Sequence, residues 1–226
     1  MRITKHLVNL HERIRGACAE AGRNENEVSV LAVSKRHDAT AVAAAHAAGL
    51  SAMGENYLQE ALQKMPRCPD SITWHFIGRL QSNKTRAVAE HFDWVQTVSS
   101  RKVAERLSRQ RPVGREPLQV CVQIQTDAGG EHGGVRPDSA AALCALIDEL
   151  PNMQLRGLMT IPAPADSLVE QRAPLRECAQ LYSDLQAEGF ALDTLSMGMS
   201  ADLEAAVLEG STLLRIGTAI FGPRMP

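Results

Sequence analysis

Residues 28–64 read VSVLAVSKRHDATAVAAAHAAGLSAMGENYLQEALQK and contain the pattern on which the fold depends. A valine-rich apolar run, 28–33, is followed by an alanine-rich segment typical of a helix, 39–48. A second short apolar run, 50–53, and a second helical segment, 57–64, come next. This order of strand, helix, strand and helix predicts parallel strands joined by crossover helices.

The same alternation continues to the C-terminus and gives about eight strand-length runs in total. Further strands are predicted at 72–77, 94–98, 118–124, 155–159, 194–197 and 213–216. Further helices are predicted at 83–91, 100–110, 137–150, 167–188 and 201–209. Eight repeats in a chain of 226 residues favour an α/β fold of the closed (β/α)8 TIM barrel type over an open doubly wound sheet.

An amphipathic helix precedes the first strand and ends near residues 16–22. Its apolar stripe consists of Ile3, Leu7, Leu10 and Ile14. No linker interrupts the alternation, so we expect one domain over residues 1–226. The most irregular stretch, DAGGEHGG at 127–134, is interpreted as a loop on the functional face of the barrel.

The composition argues against several classes of partner. The formal charge is -2 with scattered basic residues, which does not suggest binding to nucleic acid or to an anionic membrane. No apolar run approaches the ~18 residues of a membrane span. The five cysteines form no CxxC pair and the seven histidines are scattered, so we expect reduced thiols, a cytoplasmic protein and no metal site.

Candidate functional residues follow the predicted strands, because barrels of this type carry their sites at the carboxyl ends of the strands. Lys35 follows the first strand, where desolvation favours a neutral, nucleophilic amine. Ser200 is predicted to be the N-cap of a helix starting at Ala201, where free N–H groups favour an anion. Gly217 and Thr218 follow the last strand, and loops after strands seven and eight commonly bind phosphate.

Simpler interpretations remain open for each of these residues. A lysine at a strand end is often solvated, and most serine-capped helices bind nothing. Glu55 is interpreted as an ion-pair partner of a basic neighbour such as Lys84. Trp74 and Phe76 are interpreted as packing residues.

Five long segments resemble the YggS/PROSC family of pyridoxal phosphate homeostasis proteins. The resemblance covers nearly the whole chain, and motifs of this length are highly specific. The segments are AVSK ending at Lys35, GENYLQE at 54–60, WHFIGRLQSNK at 74–84, GLMTIPAP at 157–164 and LSMGMSADLEAAVLEGSTLLRIGTAIFG at 195–222.

The resemblance implies a barrel like the N-terminal domain of alanine racemase, with pyridoxal 5'-phosphate (PLP) held as a Schiff base on Lys35. It also implies three further groups of contacts. Ser200, Gly217 and Thr218 would bind the phosphate, Arg215 would lie near the pyridine nitrogen, and Asn56, Ile77 and Gly78 would line the ring. An arginine at that nitrogen weakens PLP as an electron sink.

The resulting hypothesis is a monomeric, non-catalytic PLP carrier that buffers the cofactor or delivers it to PLP-dependent apoenzymes. We assign no catalytic residue. One alternative is a PLP-dependent amino-acid racemase, which needs a second acid/base group that we do not find, since Tyr57 and Tyr182 are the only tyrosines. Another is a regulatory protein that senses PLP. The chain departs from the family at His132, where the family often has a lysine, and this puts a second-lysine role in doubt.

Overall fold

Eight parallel strands pair in chain order and close into a barrel in the computed structural model, which describes residues 2–127 and 129–222. β1 closes the barrel by pairing with β8, from Ser29 opposite Leu213 to Ala32 opposite Ile216. The strands are β1 (Ser29–Val33), β2 (Ala52–Glu55), β3 (Thr73–Phe76), β4 (Trp94–Val98), β5 (Leu118–Ile124), β6 (Met153–Thr160), β7 (Thr194–Ser196) and β8 (Leu213–Ile216). The expected domain limits, 1 and 226, lie outside the described residues.

Nine α-helices occur in the described part of the chain. They are α1 (Arg2–Ala21), α2 (Ala39–Ala47), α3 (Leu58–Lys64), α4 (Thr85–His91), α5 (Arg101–Gln110), α6 (Ala140–Glu149), α7 (Leu168–Ala187), α8 (Leu203–Leu208) and α9 (Thr218–Phe221). The predicted (β/α)8 barrel with an additional N-terminal helix is therefore confirmed. No helix within these ranges is both long enough and apolar enough to cross a membrane.

Successive side chains of each strand face either the barrel interior or the surrounding helices, because the side-chain period of a strand is two. Leu31, Val33, Ile77 and Leu213 pack together in the interior. Their neighbours along the strands, such as Ala32 and Leu214, belong to the larger core between strands and helices. Residues just beyond a strand that keep this alternation also face the mouth of the barrel.

Three of the four residues in the predicted apolar stripe of α1 are buried, and the fourth, Ile3, is partly buried. Leu7, Leu10 and Ile14 are 5%, 1% and 3% exposed. Helix α1 packs on α8 and α9, the two helices that follow β7 and β8. The additional helix therefore covers the two helices that follow the predicted anion-binding segments.

Two elements near the site, β2 and α9, differ from the sequence prediction. β2 runs to Glu55, whereas an end at Met53 was predicted, because Gly54 and Glu55 do not continue an apolar pattern. Gly54 faces the narrow interior, where an added Cβ would lie 3.0 Å from Ile77. Helix α9 was not predicted, because its four residues are too short to show a helical period.

Candidate functional site

Lys35 lies just beyond β1, two positions after the interior residue Val33. It is half-buried and occupies a turn that also contains Arg36. Arg36 has a φ of 65°, in the left-handed region that side chains with a Cβ rarely adopt. The chain therefore changes direction sharply at the residue that carries the amine.

A small cavity brings Lys35 together with the end of β8. Its volume is about 30 Å³, and its lining residues are Val33, Lys35, His37, Gly217, Thr218 and Gly222. Gly217 lies so close to β1 that an added Cβ would be 3.4 Å from the carbonyl oxygen of Val33. The closed barrel thus makes neighbours of residues at opposite ends of the sequence.

Ser200 is not a helix N-cap, and this prediction was wrong. Helix α8 starts at Leu203, after a turn in which the Met199 N–H donates to Asp202 Oδ1 at 2.6 Å. The hydroxyl oxygen of Ser200 instead accepts a hydrogen bond of 3.2 Å from the Ala219 N–H, in the first turn of α9. Ser200 is therefore joined to the segment that contains Gly217 and Thr218.

Asn56, Ile77 and Gly78 lie on the side of the barrel mouth formed by β2 and β3. Ile77 packs with Val33 in the interior, and a Cβ at Gly78 would lie 2.0 Å from the Asn56 carbonyl oxygen. The buried side-chain oxygen of Asn56, Oδ1, has no hydrogen-bond partner among the described residues. Buried polar atoms are normally hydrogen-bonded, so this oxygen is available to a ligand or a water.

Arg215 lies inside the barrel and is 4% exposed. Its guanidinium donates to the Ser196 carbonyl and hydroxyl oxygens at 2.7 and 2.8 Å, and to the Thr160 carbonyl at 2.7 Å. Burial lowers the pKa of Arg215 to about 10, which still leaves the side chain cationic at neutral pH. The structure thus contains a fixed interior cation at the last strand.

A chain of hydrogen bonds leads from Arg215 across the interior, and sequence reasoning missed it. Arginine can only donate, so Ser196 Oγ accepts from Arg215 and donates to Gln96 Oε1 at 2.7 Å. The amide nitrogen of Gln96 then faces His75 Nδ1 at 3.0 Å. These polar residues stand within largely apolar runs. The only sequence signal for them is that their positions along the strands alternate with those that face the helices.

The ion-pair partner of Glu55 is Lys64 rather than Lys84. Lys64 Nζ lies 2.6 Å from Glu55 Oε1, which also accepts a 2.5 Å hydrogen bond from the Ser34 hydroxyl. Burial raises the pKa of Glu55, and the hydrogen bonds from Lys64 and Ser34 oppose that shift. The pair lies between β2 and α3, directly behind the Lys35 turn.

His132 lies in the loop after β5 and is exposed. Its Nδ1 is 3.7 Å from Asp127 Oδ2, and its carbonyl oxygen accepts from Gln123 Nε2 at 2.8 Å. His132 is not among the residues that line the Lys35 cavity.

A larger groove of about 950 Å³ lies at the opposite end of the barrel, near the start of the strands. Trp94, Arg156 and Asp193 are among its lining residues. The three cations and three acidic side chains of this groove form ion pairs with one another, Arg15 with Glu25, Arg23 with Glu27 and Arg156 with Asp193. Its size alone therefore does not make it the functional site, which in such barrels lies at the carboxyl ends of the strands.

Comparison with known proteins identifies a family for nearly the whole chain. The alanine racemase N-terminal domain family matches residues 6–225. The chain is 50% identical over 223 residues to the pyridoxal phosphate homeostasis protein of Pseudomonas aeruginosa, covering 98% of this chain and 96% of that protein. It is 45% identical over 229 residues to the protein of the same name from Haemophilus influenzae, with 99% and 97% covered.

Solved structures agree with this assignment. PipY of Synechococcus elongatus with PLP bound is 37% identical, with a TM-score of 0.82 over 97% of this chain and 100% of that chain. Alanine racemase of Clostridium difficile is 16% identical with a TM-score of 0.75, over 100% of this chain and 57% of the racemase, and shows a common fold alone. The chain therefore belongs to the family of the pyridoxal phosphate homeostasis proteins, whose barrel is that of the alanine racemase N-terminal domain.

Proposed function

We propose that residues 1–226 form one PLP-binding domain, which holds the cofactor as a Schiff base on Lys35 and buffers or delivers it without turning over a substrate. The observation that carries this proposal is that Lys35, Gly217 and Thr218 line one and the same cavity. It is supported by a solved relative, PipY, whose structure contains PLP. When bound, PLP supplies an aldehyde that can condense with an amine.

The residues around the cavity fit the chemistry of this cofactor. Thr218 and Ser200 offer hydroxyl groups, and Gly217 lets the backbone approach an anion closely. The Asn56 side-chain oxygen is buried without a partner in the described ranges, so it can accept from a polar group of the ring. Arg215 provides a cation in the interior, and Ile77 an apolar surface beside Gly78.

The cavity as it stands is about the volume of one water molecule, so it does not hold a ring and a phosphate. His37 lines it and stacks on Phe221 of α9 with 4.6 Å between ring centroids. We therefore expect this ring pair, or the Lys35 side chain, to move when PLP binds. Both rings belong to short segments after β1 and β8, outside the barrel strands.

The first prediction concerns the Lys35 amine. Purified protein mixed with PLP should absorb at about 420 nm, as a lysine Schiff base does, and borohydride should fix the cofactor to Lys35. Lys35→Ala should lose this band completely, because no amine remains at the cavity. Lys102→Ala, which removes an exposed lysine of α5, is the matched control and should keep the band. A colourless wild-type protein, or a band that survives in Lys35→Ala, would contradict the proposal.

A non-catalytic role is supported by the position of the tyrosines. Tyr182 belongs to the core on α7, and burial raises its pKa to about 12, which makes it a poor acid/base group at neutral pH. Tyr57 precedes α3 and is 48% exposed. Incubation of the PLP-loaded protein with L-alanine should leave its chirality unchanged, and turnover of about 1 per second or faster would establish a racemase instead.

The proposal also covers the oligomeric state, the compartment and the partners of the protein. Scattered exposed apolar residues, among them Val8 and Val113, support a monomer. Five free cysteines support a reducing compartment, the cytoplasm. Partners would be PLP-dependent apoenzymes, and transfer is tested by restoring the activity of such an apoenzyme with loaded protein in the presence of a trap for free aldehyde.

A further inference from the structure

Lys35 occupies a four-residue turn that its own sequence does not favour. The turn runs from Ser34 to His37 and is closed by a 3.0 Å hydrogen bond from the His37 N–H to the Ser34 carbonyl. Arg36, the third residue, has a φ of 65°, as in a type II turn, where glycine is usual. Contacts from outside the turn must therefore help to hold it.

Two side chains of α3 contact the backbone on both sides of Lys35. Lys64 Nζ donates to the Ser34 carbonyl at 2.9 Å. Glu60 Oε1 accepts from the Arg36 N–H at 2.5 Å. The two side chains are also joined to each other at 3.0 Å. We call Lys64 and Glu60 the α3 pair, since they lie one helical turn apart.

Lys64 is fully committed to this arrangement. Its side chain is 4% exposed, and its three N–H donors match three acceptors, the Ser34 carbonyl oxygen, Glu55 Oε1 and Glu60 Oε1. A buried ammonium with all donors used is not a second site for an aldehyde. Its carbonyl contact lies instead on the peptide group that precedes the reactive lysine.

We propose that the α3 pair positions Lys35 for reaction, by fixing the two backbone groups that flank it and hence the direction in which its amine leaves β1. The inference rests on the proposed function and deepens it. Condensation of the amine with the PLP aldehyde forms one C=N bond and releases one water, which takes the aldehyde oxygen and two amine protons. This reaction depends strongly on direction of approach, whereas binding of the ring and phosphate does not.

The decisive variant is Glu60→Ala. The Glu60 side chain is 29% exposed, and its removal leaves Lys64 paired with Glu55, so no buried charge loses its partner. Schiff-base formation should slow by about tenfold or more. Affinity for pyridoxine 5'-phosphate, which has the ring and phosphate but no aldehyde, should change by less than about twofold. Gln59→Ala, an exposed neighbour on α3, is the matched control and should change neither.

A second variant tests the buried half of the α3 pair without leaving a lone buried charge, since Glu60, which loses its partner, is 29% exposed. Lys64→Met combined with Glu55→Gln removes both buried charges at once. This variant should also form the Schiff base more slowly while its affinity for pyridoxine 5'-phosphate changes little. Should this double variant fail to fold, as judged by its thermal unfolding, Glu60→Ala still decides the matter.

The results that overturn the proposal are distinct from those that overturn PLP binding. If Glu60→Ala slows Schiff-base formation and weakens binding of pyridoxine 5'-phosphate to the same extent, the α3 pair only stabilises the fold. If neither the rate nor the affinity changes, the α3 pair does not position Lys35. A wild-type protein that binds pyridoxine 5'-phosphate but forms no Schiff base would instead refute the Lys35 proposal.

Discussion

His75 is a buried polar residue in the barrel interior, and its protonation state follows from its surroundings. Burial lowers its pKa to about 3. It stacks on Trp94 with 4.9 Å between ring centroids, and its Nδ1 lies beside the Gln96 amide. A neutral imidazole whose Nδ1 accepts from Gln96 therefore completes the chain of hydrogen bonds that starts at Arg215.

Stability should fall in mild acid because of His75. Its folded pKa is lowered, so the unfolded chain takes up a proton first as the pH drops below about 6.5. The free energy of unfolding should be lower by about 2 kcal/mol at pH 5 than at pH 7 from this residue alone. Urea titrations of wild type and His75→Gln should show the smaller pH dependence in the variant. The exposed His91→Gln is the control, and equal slopes for wild type and His75→Gln would contradict the assignment.

Helix α1 stabilises the segments that carry the proposed phosphate contacts. Arg13 donates to both carboxylate oxygens of Glu204 on α8, at 2.6 and 2.7 Å, and to the Ser200 carbonyl at 3.2 Å. His6 Nδ1 lies 2.7 Å from the Ile220 carbonyl of α9. The additional helix is thus bonded to both segments that follow β7 and β8.

Arg13→Ala should raise the PLP release rate by about two- to tenfold, as expected when hydrogen bonds that order a binding segment are lost. The thermal midpoint should change little, because the apolar stripe of α1 stays buried. Stopped-flow absorbance in the presence of an aldehyde trap measures the rate. Arg15→Ala, which removes an exposed side chain paired with Glu25, should leave it unchanged. Equal release rates in all three proteins would show that α1 does not order the site.

Prediction from sequence succeeded for some elements and failed for others, for local reasons. β4, β5 and β8 have the predicted limits, since each of these runs begins and ends on a large apolar residue. The start of α8 was misplaced because Asp202 bonds to the backbone N–H of Met199 and forms a turn before the helix. A short polar residue can either cap a helix or close a turn, and sequence does not distinguish the two.

The whole barrel is closed by the pairing of β1 with β8, and the proposed site lies on this seam. A ligand held by both strands binds only the folded protein and therefore stabilises it. At a PLP concentration about 100 times the dissociation constant, the thermal midpoint should rise by roughly 5 to 10 °C. Lys35→Ala should lose most of this rise, and inorganic phosphate at equal concentration should produce little. A midpoint that does not respond to PLP would contradict binding at the seam.

The sequence alone determined the order of the elements and the residue types at the strand ends. Strand and helix periods are local properties, so the (β/α)8 barrel, the buried stripe of α1 and the position of Lys35 after β1 could be predicted. The long motifs also indicated the family. These signals depend on near neighbours in the chain.

Only the tertiary structure decided which of those residues meet. Closure of the barrel brings Lys35 beside Gly217, and the inward direction of alternate side chains connects Arg215 through Ser196 and Gln96 to His75. The contacts of Lys64 with the Lys35 turn depend on how α3 packs against β1 and β2. Such contacts join residues far apart in sequence, and their geometry is set by packing and barrel closure, which no local pattern encodes.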